Sequence, residues 1–435
     1  MGRMVLLVCA AVLTAAACTG PEASDEVTDV PEGDAEERSE EPADTVDDEA
    51  DEPDEIEQEI AEIAEQVSVL RELPLLEEVR TEVLEPDELA EVVTERDGDT
   101  ETLERTRAAE EVLVKLRHLP EGTGLEEIID SLLTTSVVGL YDPEDGIAYI
   151  SSEAQPLDPR AASTTAHELA HALQDQHFDL SRLDDIPEWD SDAALAFLSV
   201  AEGDAVIVEE EWAATYQTEE ERAEAEQEQI ARAETHSRAL ENTPSYVVES
   251  FVFPYVAGER FVTALINEGG YEAVDEALED PPETTLEVLD PDQYMEGFEQ
   301  EDVTSGIAPG DDWNELFTST FGAFELLALF GSSLEGGAGE GAGAWPAWRG
   351  GAIDAWERDG EVALAVSWTF ADTERADLVC GAVGEWYVDV AGAEAEGDGS
   401  VLRSADDVLV VDCDADDVRF ALGPSEEVAA ATLGD

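Results

Sequence analysis

Three of the five histidines in this chain of 435 residues fall close together, at His167, His171 and His177. The first two frame Glu168 in a His-Glu-x-x-His pattern. Because positions four apart lie on the same face of a helix, His167 and His171 can present two imidazole nitrogens to one metal ion. Glu168 lies about a quarter turn away, where its carboxylate can act on a water molecule without binding the metal itself. The spacing predicts metal-assisted hydrolysis of a peptide bond.

The residues around this motif favour a helix. Asp158 is a suitable N-cap, Pro159 suits the first helical position, and no glycine or proline follows before Gln176. Alanines and leucines at helical spacing form an apolar side for packing. A histidine pair that is only solvated or structural is the alternative to a metal site.

Glu202 is one candidate for a third ligand. It lies on the apolar stripe of a helix predicted from Ser191 to Trp212. A buried carboxylate is costly unless it has a positive partner, and a zinc ion would be such a partner. An exposed acid is the alternative. Gly203 beside it would allow this helix to approach the motif helix closely.

His177 competes with Glu202 for this role. It stands six after His171, where another zincin branch places a third histidine, but that branch needs a glycine three after the second histidine. Here that position is Gln174, which does not readily adopt the left-handed turn that glycine permits. We therefore expect the helix to continue and to carry His177 away from the metal, where it caps the helix or supports a ligand.

The motif and two later segments together resemble a known family. His167 to Asp179, Glu202-Gly203-Asp204-Ala205 and Phe253-Pro254-Tyr255 are similar to segments of exported bacterial zinc metallopeptidase lipoproteins of the gluzincin type. The likeness covers roughly residues 65 to 330.

The resemblance implies a fold, a cofactor and a set of roles. The fold is α+β and mainly helical, with a zincin-like core, a short edge sheet before the active-site helix and a small C-terminal α+β region. One zinc ion is bound per chain. Carried over residue by residue, the resemblance makes His167, His171 and Glu202 the zinc ligands and Glu168 the base.

The N-terminus is typical of an export signal. Arg3 precedes an apolar run from Met4 to Leu13, and Ala15 to Ala17 supply the small residues before a cleavage site. Cys18 follows, as in bacterial lipoprotein signals, so residues 1–17 are predicted to be removed and Cys18 to be lipidated. An ordinary secretory signal is the alternative. With lipidation the protein is anchored to the bacterial cell membrane, outside the cytoplasm.

Acidic residues dominate the composition, with 110 Asp and Glu against 20 Lys and Arg. Residues 18–55 are predicted to be a disordered tether, because this acidic segment has too few apolar residues to form a core. The rest of the chain is also strongly acidic, which excludes nucleic acid as a partner. The charge indicates either adaptation to high ionic strength or solubility alone.

Periodicity divides the remainder into two regions. Residues 56–340 are assigned to the metallopeptidase domain, with a hairpin over residues 136–151 before the motif helix. A helix is predicted from Trp313 to Phe330 and a glycine-rich loop from Gly331 to Gly351. Residues 341–435 are assigned to the C-terminal region. Cys380 and Cys413 could form a disulfide there, with two buried thiols as the alternative.

The predicted function is zinc-dependent hydrolysis of a peptide or protein substrate. A further donor should stabilise the oxyanion, and Tyr255 and His236 are both candidates. The alternative function is a catalytically silent acidic lipoprotein that binds a partner in the cell envelope. An intact Glu168 argues against that alternative, because a structural metal site needs no base.

A lipid on Cys18 predicts that the Cys18→Ala variant leaves the membrane. Wild-type protein should partition into detergent, and the variant should be released or remain as an unprocessed precursor, because the acyl chains supply the membrane affinity. Mass spectrometry of the mature N-terminus checks this. An unacylated wild-type chain that begins at or near Cys18 would contradict it.

Overall fold

The computed structural model describes residues 7–10, 55–96, 100–152, 157–187, 190–240, 243–331, 340–397 and 399–434. Cys18 and most of the predicted leader and tether lie outside these ranges. The described residues form an α+β fold in which helices prevail. No helix among them is long and apolar enough to cross a bilayer.

Among the described residues, most helices precede residue 300 and most strands follow it. The helices are α1 Glu55–Leu70, α2 Pro86–Arg96, α3 Thr100–Lys115, α4 Leu125–Ser136, α5 Pro159–Phe178, α6 Ser191–Tyr216, α7 Glu219–Leu240, α8 Ser245–Gly269, α9 Tyr271–Glu279, α10 Thr285–Leu289, α11 Pro291–Glu296, α12 Ala323–Leu329, α13 Thr373–Ala391 and α14 Glu426–Leu433. The strands are β1 Leu7–Ala10, β2 Arg80–Leu84, β3 Val137–Asp142, β4 Ile147–Ser151, β5 Asn314–Thr320, β6 Trp348–Arg358, β7 Glu361–Phe370, β8 Glu394–Glu396, β9 Val401–Arg403, β10 Val408–Asp414 and β11 Asp417–Gly423.

A small sheet with the strand order β1-β3-β4-β2 lies against the motif helix α5. Strands β3 and β4 form the predicted hairpin, and β2 runs parallel to β4. Strand β1, inside the predicted leader, pairs antiparallel with the outer edge of β3. The outer edge of β3 therefore accepts an extended segment.

Helix α5 lies at the centre of the N-terminal half. The side chain of Asp158 caps it by accepting hydrogen bonds from the backbone N–H groups of Arg160 and Ala161, at 3.1 and 2.9 Å. The helix packs on β3 and β4 on one side and on α1, α6 and α7 on the others. Its polar residues from Arg160 to Gln174 are consequently buried together with its alanines and leucines.

Helices α6 and α8 approach each other closely at a pair of glycines. A Cβ atom on Gly203 would lie 2.2 Å from the carbonyl carbon of Gly258, so no larger residue fits. The sequence predicts that Gly203 allows a close approach of α6 to the motif helix, but the close backbone contact at Gly203 is with α8. Glu202, one residue earlier, points to α5 instead.

The C-terminal region is one antiparallel sheet covered on both faces. Its strand order is β5-β6-β7-β11-β10-β9-β8. Successive residues of a strand point to opposite faces: Phe420 packs in the core that includes α13, and Ala421 packs in the core that includes α14. A disulfide between Cys380 and Cys413 links α13 to β10.

Two sequence predictions for residues 313–351 differ from the structure, and residues 332–339 of the second lie outside the described ranges. Residues 314–320 form strand β5, because this segment contains aromatic and β-branched residues that suit a pleated sheet, and only the short α12 follows. The predicted glycine-rich loop contains the start of β6 at Trp348. Because β5 pairs with β6, the C-terminal sheet also begins before the boundary predicted at residue 341.

Two buried carboxyl groups, Asp192 and Glu325, lie near each other where α6 meets α12. Asp192, in the first turn of α6, accepts hydrogen bonds from the hydroxyl and the backbone N–H of Thr285, at 2.5 and 3.1 Å. Glu325 of α12 accepts one from the backbone N–H of Gly322 at 3.0 Å. Burial, reinforced by the neighbouring Asp192, raises the pKa of Glu325 to about 8. Burial likewise raises the pKa of Asp192 to about 7.

The raised pKa of Glu325 predicts a pH-dependent stability. The folded state holds this proton more tightly than the unfolded state, so the stabilisation is complete below about pH 4.5 and is lost as the pH rises through about 8. Glu325→Gln should therefore gain stability relative to wild type between about pH 5 and pH 9. Urea unfolding across this range measures the difference.

The matched control is Glu315→Gln, which changes an exposed glutamate on the adjacent strand β5. Its stability should follow that of wild type at every pH. An equal pH dependence in Glu325→Gln and wild type would contradict the assignment of a raised pKa to Glu325.

Candidate metal centre

Helices α5 and α6 bring two imidazoles and one carboxylate together in the interior. His167 and His171, one turn apart on α5, are both 0% exposed, and Glu202 of α6 is 1% exposed. Each of the three side chains offers one ligand atom to a common point, and together they could hold a metal ion. The two histidines predicted from the motif and the predicted third residue therefore share one site.

The distances between the three ligand atoms are short and similar. Nε2 of His167 lies 3.2 Å from Oε2 of Glu202 and 3.1 Å from Nε2 of His171. Nε2 of His171 lies 3.4 Å from the same carboxylate oxygen. All three atoms thus lie at the corners of a nearly equilateral triangle, which is the arrangement of three ligands around one small ion.

A positive charge at this point would compensate the carboxylate of Glu202. Burial opposes the charged form of His167, but hydrogen bonds to Glu202 and Glu209 outweigh burial and raise its pKa well above the usual value. Burial would raise the pKa of Glu202, yet His171 and His167 together lower it to about 2. A buried ionised carboxylate needs a compensating positive charge, which either an imidazolium or a metal ion supplies.

Glu168 lies beside the three ligand atoms without belonging to them. Its side chain is fully buried, and neither of its oxygens accepts a hydrogen bond from the described residues. The backbone N–H of Tyr141 lies close enough to lower the pKa of Glu168, but its effect is smaller than that of burial. Burial raises the pKa of Glu168 well above the usual value. This carboxyl group is therefore free to bind a proton or a water molecule.

Strand β3 makes room for Glu168 through a glycine. A Cβ atom on Gly139 would lie 2.5 Å from Oε1 of Glu168 and 2.6 Å from Cγ2 of Thr164. Any other residue at position 139 would displace the carboxylate. The sequence reasoning overlooked Gly139, because a glycine in a strand does not by itself show which side chain approaches it.

Each histidine has a second partner that the sequence reasoning missed. Nδ1 of His167 lies 3.1 Å from Oε2 of Glu209, and Nδ1 of His171 lies 2.9 Å from Oε1 of Gln174. Such partners orient the rings of metal-binding histidines. Helical spacing could have identified both partners. Glu209 is seven residues after Glu202 and Gln174 is seven residues after His167, so each lies two turns along the same face of its helix.

A cavity of about 290 Å³ opens beside His167. Val138 of β3 and Tyr255 of α8 contribute to its lining, together with residues of α5, α6 and α7. The ring of Tyr255 stacks on His167 with the ring centroids 6.4 Å apart. This places one of the two predicted oxyanion donors at the site. The side chain of His236, the other candidate, lies outside the described part of the chain.

His177 does not reach the metal centre. As expected, α5 continues through Gln174, and the left-handed residue that ends it is Asp179. Nε2 of His177 lies 2.8 Å from the carbonyl oxygen of Pro74. His177 thus contacts the segment after α1, and the expectation that it caps the helix or supports a ligand is wrong.

Comparisons with protein-family profiles, with curated proteins and with solved structures find no match to this chain.

The geometry predicts which substitutions reduce metal binding. His171→Ala and Glu202→Ala should each lower the affinity for a divalent metal by more than about 100-fold, because loss of an outer partner alone costs 10- to 100-fold. His177→Ala is the matched control and should bind as wild type does. Titration of the metal-free protein with Zn²⁺ against a competing chelator measures all three. Equal losses in His177→Ala and Glu202→Ala would contradict the assignment.

Proposed function

We propose that this chain is a zinc-dependent peptidase of the zincin type, anchored outside the cytoplasm through Cys18. The observation that carries the proposal is the buried His167, His171 and Glu202 cluster, with the unpartnered carboxyl group of Glu168 beside it. Two imidazoles and one carboxylate are a common ligand set of catalytic zinc sites, which keep the fourth position open.

The ligand separations support zinc. In tetrahedral coordination with bonds of about 2.0 to 2.1 Å, neighbouring ligand atoms lie about 3.3 Å apart. The three separations of 3.1, 3.2 and 3.4 Å agree with that value. When bound here, zinc would supply a Lewis acid that polarises a carbonyl group and lowers the pKa of a water molecule.

Glu168 is the proposed general base. A bound zinc ion would favour the ionised form of Glu168 against the effect of burial. In that form its carboxylate accepts the proton of the attacking water and then passes that proton to the leaving amine. A metal site with a purely structural role would leave this residue unexplained, because an ionisable group buried without a hydrogen-bond partner costs free energy. The silent lipoprotein is therefore the weaker alternative.

The outer edge of β3 is the proposed place of the peptide. Its backbone groups already pair with an extended segment, β1, in which Cys9 stands opposite Gly139. A substrate strand in the same position would use the same backbone hydrogen bonds and would pass Gly139, whose missing side chain leaves Glu168 in place. The adjoining cavity at His167 can receive a substrate side chain, and Tyr255 is the proposed oxyanion donor.

Glu168→Gln tests the proposal. The variant should bind zinc as wild type does but hydrolyse an unfolded, fluorescently labelled polypeptide about 10²- to 10⁴-fold more slowly, because it lacks the base. Fragment release and metal content are measured on the same sample. Glu224→Gln, an exposed position on α7, is the matched control and should retain full activity. Wild-type protein that binds zinc without any hydrolysis would refute the peptidase.

A further inference from the structure

Gln174 makes three hydrogen bonds in the interior next to the metal centre. Its Oε1 lies 2.9 Å from Nδ1 of His171. Its Nε2 donates to the carbonyl oxygen of Ala201 at 3.0 Å and to Oδ2 of Asp204 at 2.9 Å. The orientation of the amide is chemically determined, because both of these partners can only accept. The amide oxygen therefore faces His171.

This contact fixes the tautomer of His171. An amide oxygen only accepts, so Nδ1 of His171 must carry the hydrogen atom, and in the neutral imidazole Nε2 then keeps its lone pair. That lone pair belongs to the nitrogen that lies near Glu202 and His167. The contact thus selects both the ring orientation and the form of His171 that can bind a metal.

Asp204 and Arg71 hold Gln174 in turn. Nε of Arg71 lies 2.8 and 2.9 Å from the two carboxylate oxygens of Asp204, and Nη2 of Arg71 lies 2.6 Å from Oδ1 of Asp275. The guanidinium group also stacks on the ring of Tyr271, 4.6 Å from its centroid. One polar chain therefore runs from the end of α1 through α6 to the motif helix, with a branch to α9.

Stability alone does not explain why these connected polar side chains are buried. Arg71, Asp204 and Gln174 are all 0% exposed. Burying an ion pair costs desolvation free energy that its Coulombic attraction often only matches, and apolar residues of similar volume would stabilise the fold as well. Apolar residues, however, could not accept a hydrogen bond from His171.

We propose that Gln174, held by Asp204 and Arg71, is a positioning residue that presents Nε2 of His171 to the metal. The proposal rests on the metal centre but not on the peptidase activity. Gln174→Met keeps the approximate length of the side chain and removes the acceptor. It should lower the affinity for Co²⁺ about 10- to 100-fold and change the visible absorption of the bound Co²⁺.

Asp204→Asn provides a second variant if Gln174→Met fails to fold. It weakens the support of Gln174 and should lower Co²⁺ affinity in the same direction. Asp275→Asn is the matched control, because Asp275 contacts the same Arg71 on the side away from His171. It should bind Co²⁺ as wild type does, even if the metal-free protein becomes less stable.

Thermal unfolding of the metal-free proteins separates positioning from structure. If Gln174 is a positioning residue, the Co²⁺ affinity and spectrum should change more in Gln174→Met or Asp204→Asn than in Asp275→Asn. This difference should remain when the metal-free variants are equally destabilised. Wild-type affinity and spectrum in both variants would overturn the proposal. Wild-type protein without Co²⁺ or Zn²⁺ binding would overturn it together with the metal centre, whereas metal binding without hydrolysis would refute only the peptidase.

Discussion

The burial of ionisable side chains between α5 and α6 is the constraint on which the N-terminal half depends. Two imidazoles and a carboxylate lie within 3.4 Å of one another in a part of the interior without exposed surface. Such a group of atoms is unfavourable unless a positive charge compensates the carboxylate and hydrogen bonds orient the rings. The neighbouring helices supply the orienting partners, and the proposed zinc ion supplies the charge.

Close backbone packing brings these partners into reach. Gly203 allows α8 to lie directly against α6, and α8 carries Tyr255 to the face of His167. Gly139 similarly allows β3 to pass Glu168, because it has no side chain that would collide with the carboxylate. The two glycines thus serve different purposes: one sets the distance between helices, and the other leaves space beside the proposed base.

The C-terminal sheet supports the site from a distance. Strand β5 of this sheet meets the first turn of α6, where the hydroxyl groups of Ser191 and Ser319 lie 2.6 Å apart. Asp192 in the same turn binds Thr285 of α10, whose hydroxyl group accepts a hydrogen bond from the backbone N–H of Phe324 in α12. Because α6 also carries Glu202 and Glu209, these contacts help to hold the start of the helix that completes the candidate metal centre. The raised pKa values of the buried carboxyl groups Asp192 and Glu325 make this junction sensitive to pH.

The sequence by itself determined the features that depend on neighbours within one or two helical turns. These include the extent of α5 with its Asp158 cap, the shared face of His167 and His171, and the hairpin before them. Glu202 could be predicted because a carboxylate on an apolar stripe needs a partner. Strand β5 could not, since its pairing with β6 depends on residues more than thirty positions later.

Only the tertiary structure decided which groups surround the ligands. Arg71 and Asp204 are separated by 133 residues in the chain, but their side chains lie 2.8 Å apart. The periodicity within one segment cannot predict a contact between two distant segments. The close approach of Glu168 to Gly139 and the contact of His177 with Pro74 likewise depend on how separate segments pack together. A side chain's own segment sets the direction in which it points, but the packing of distant segments sets what it meets.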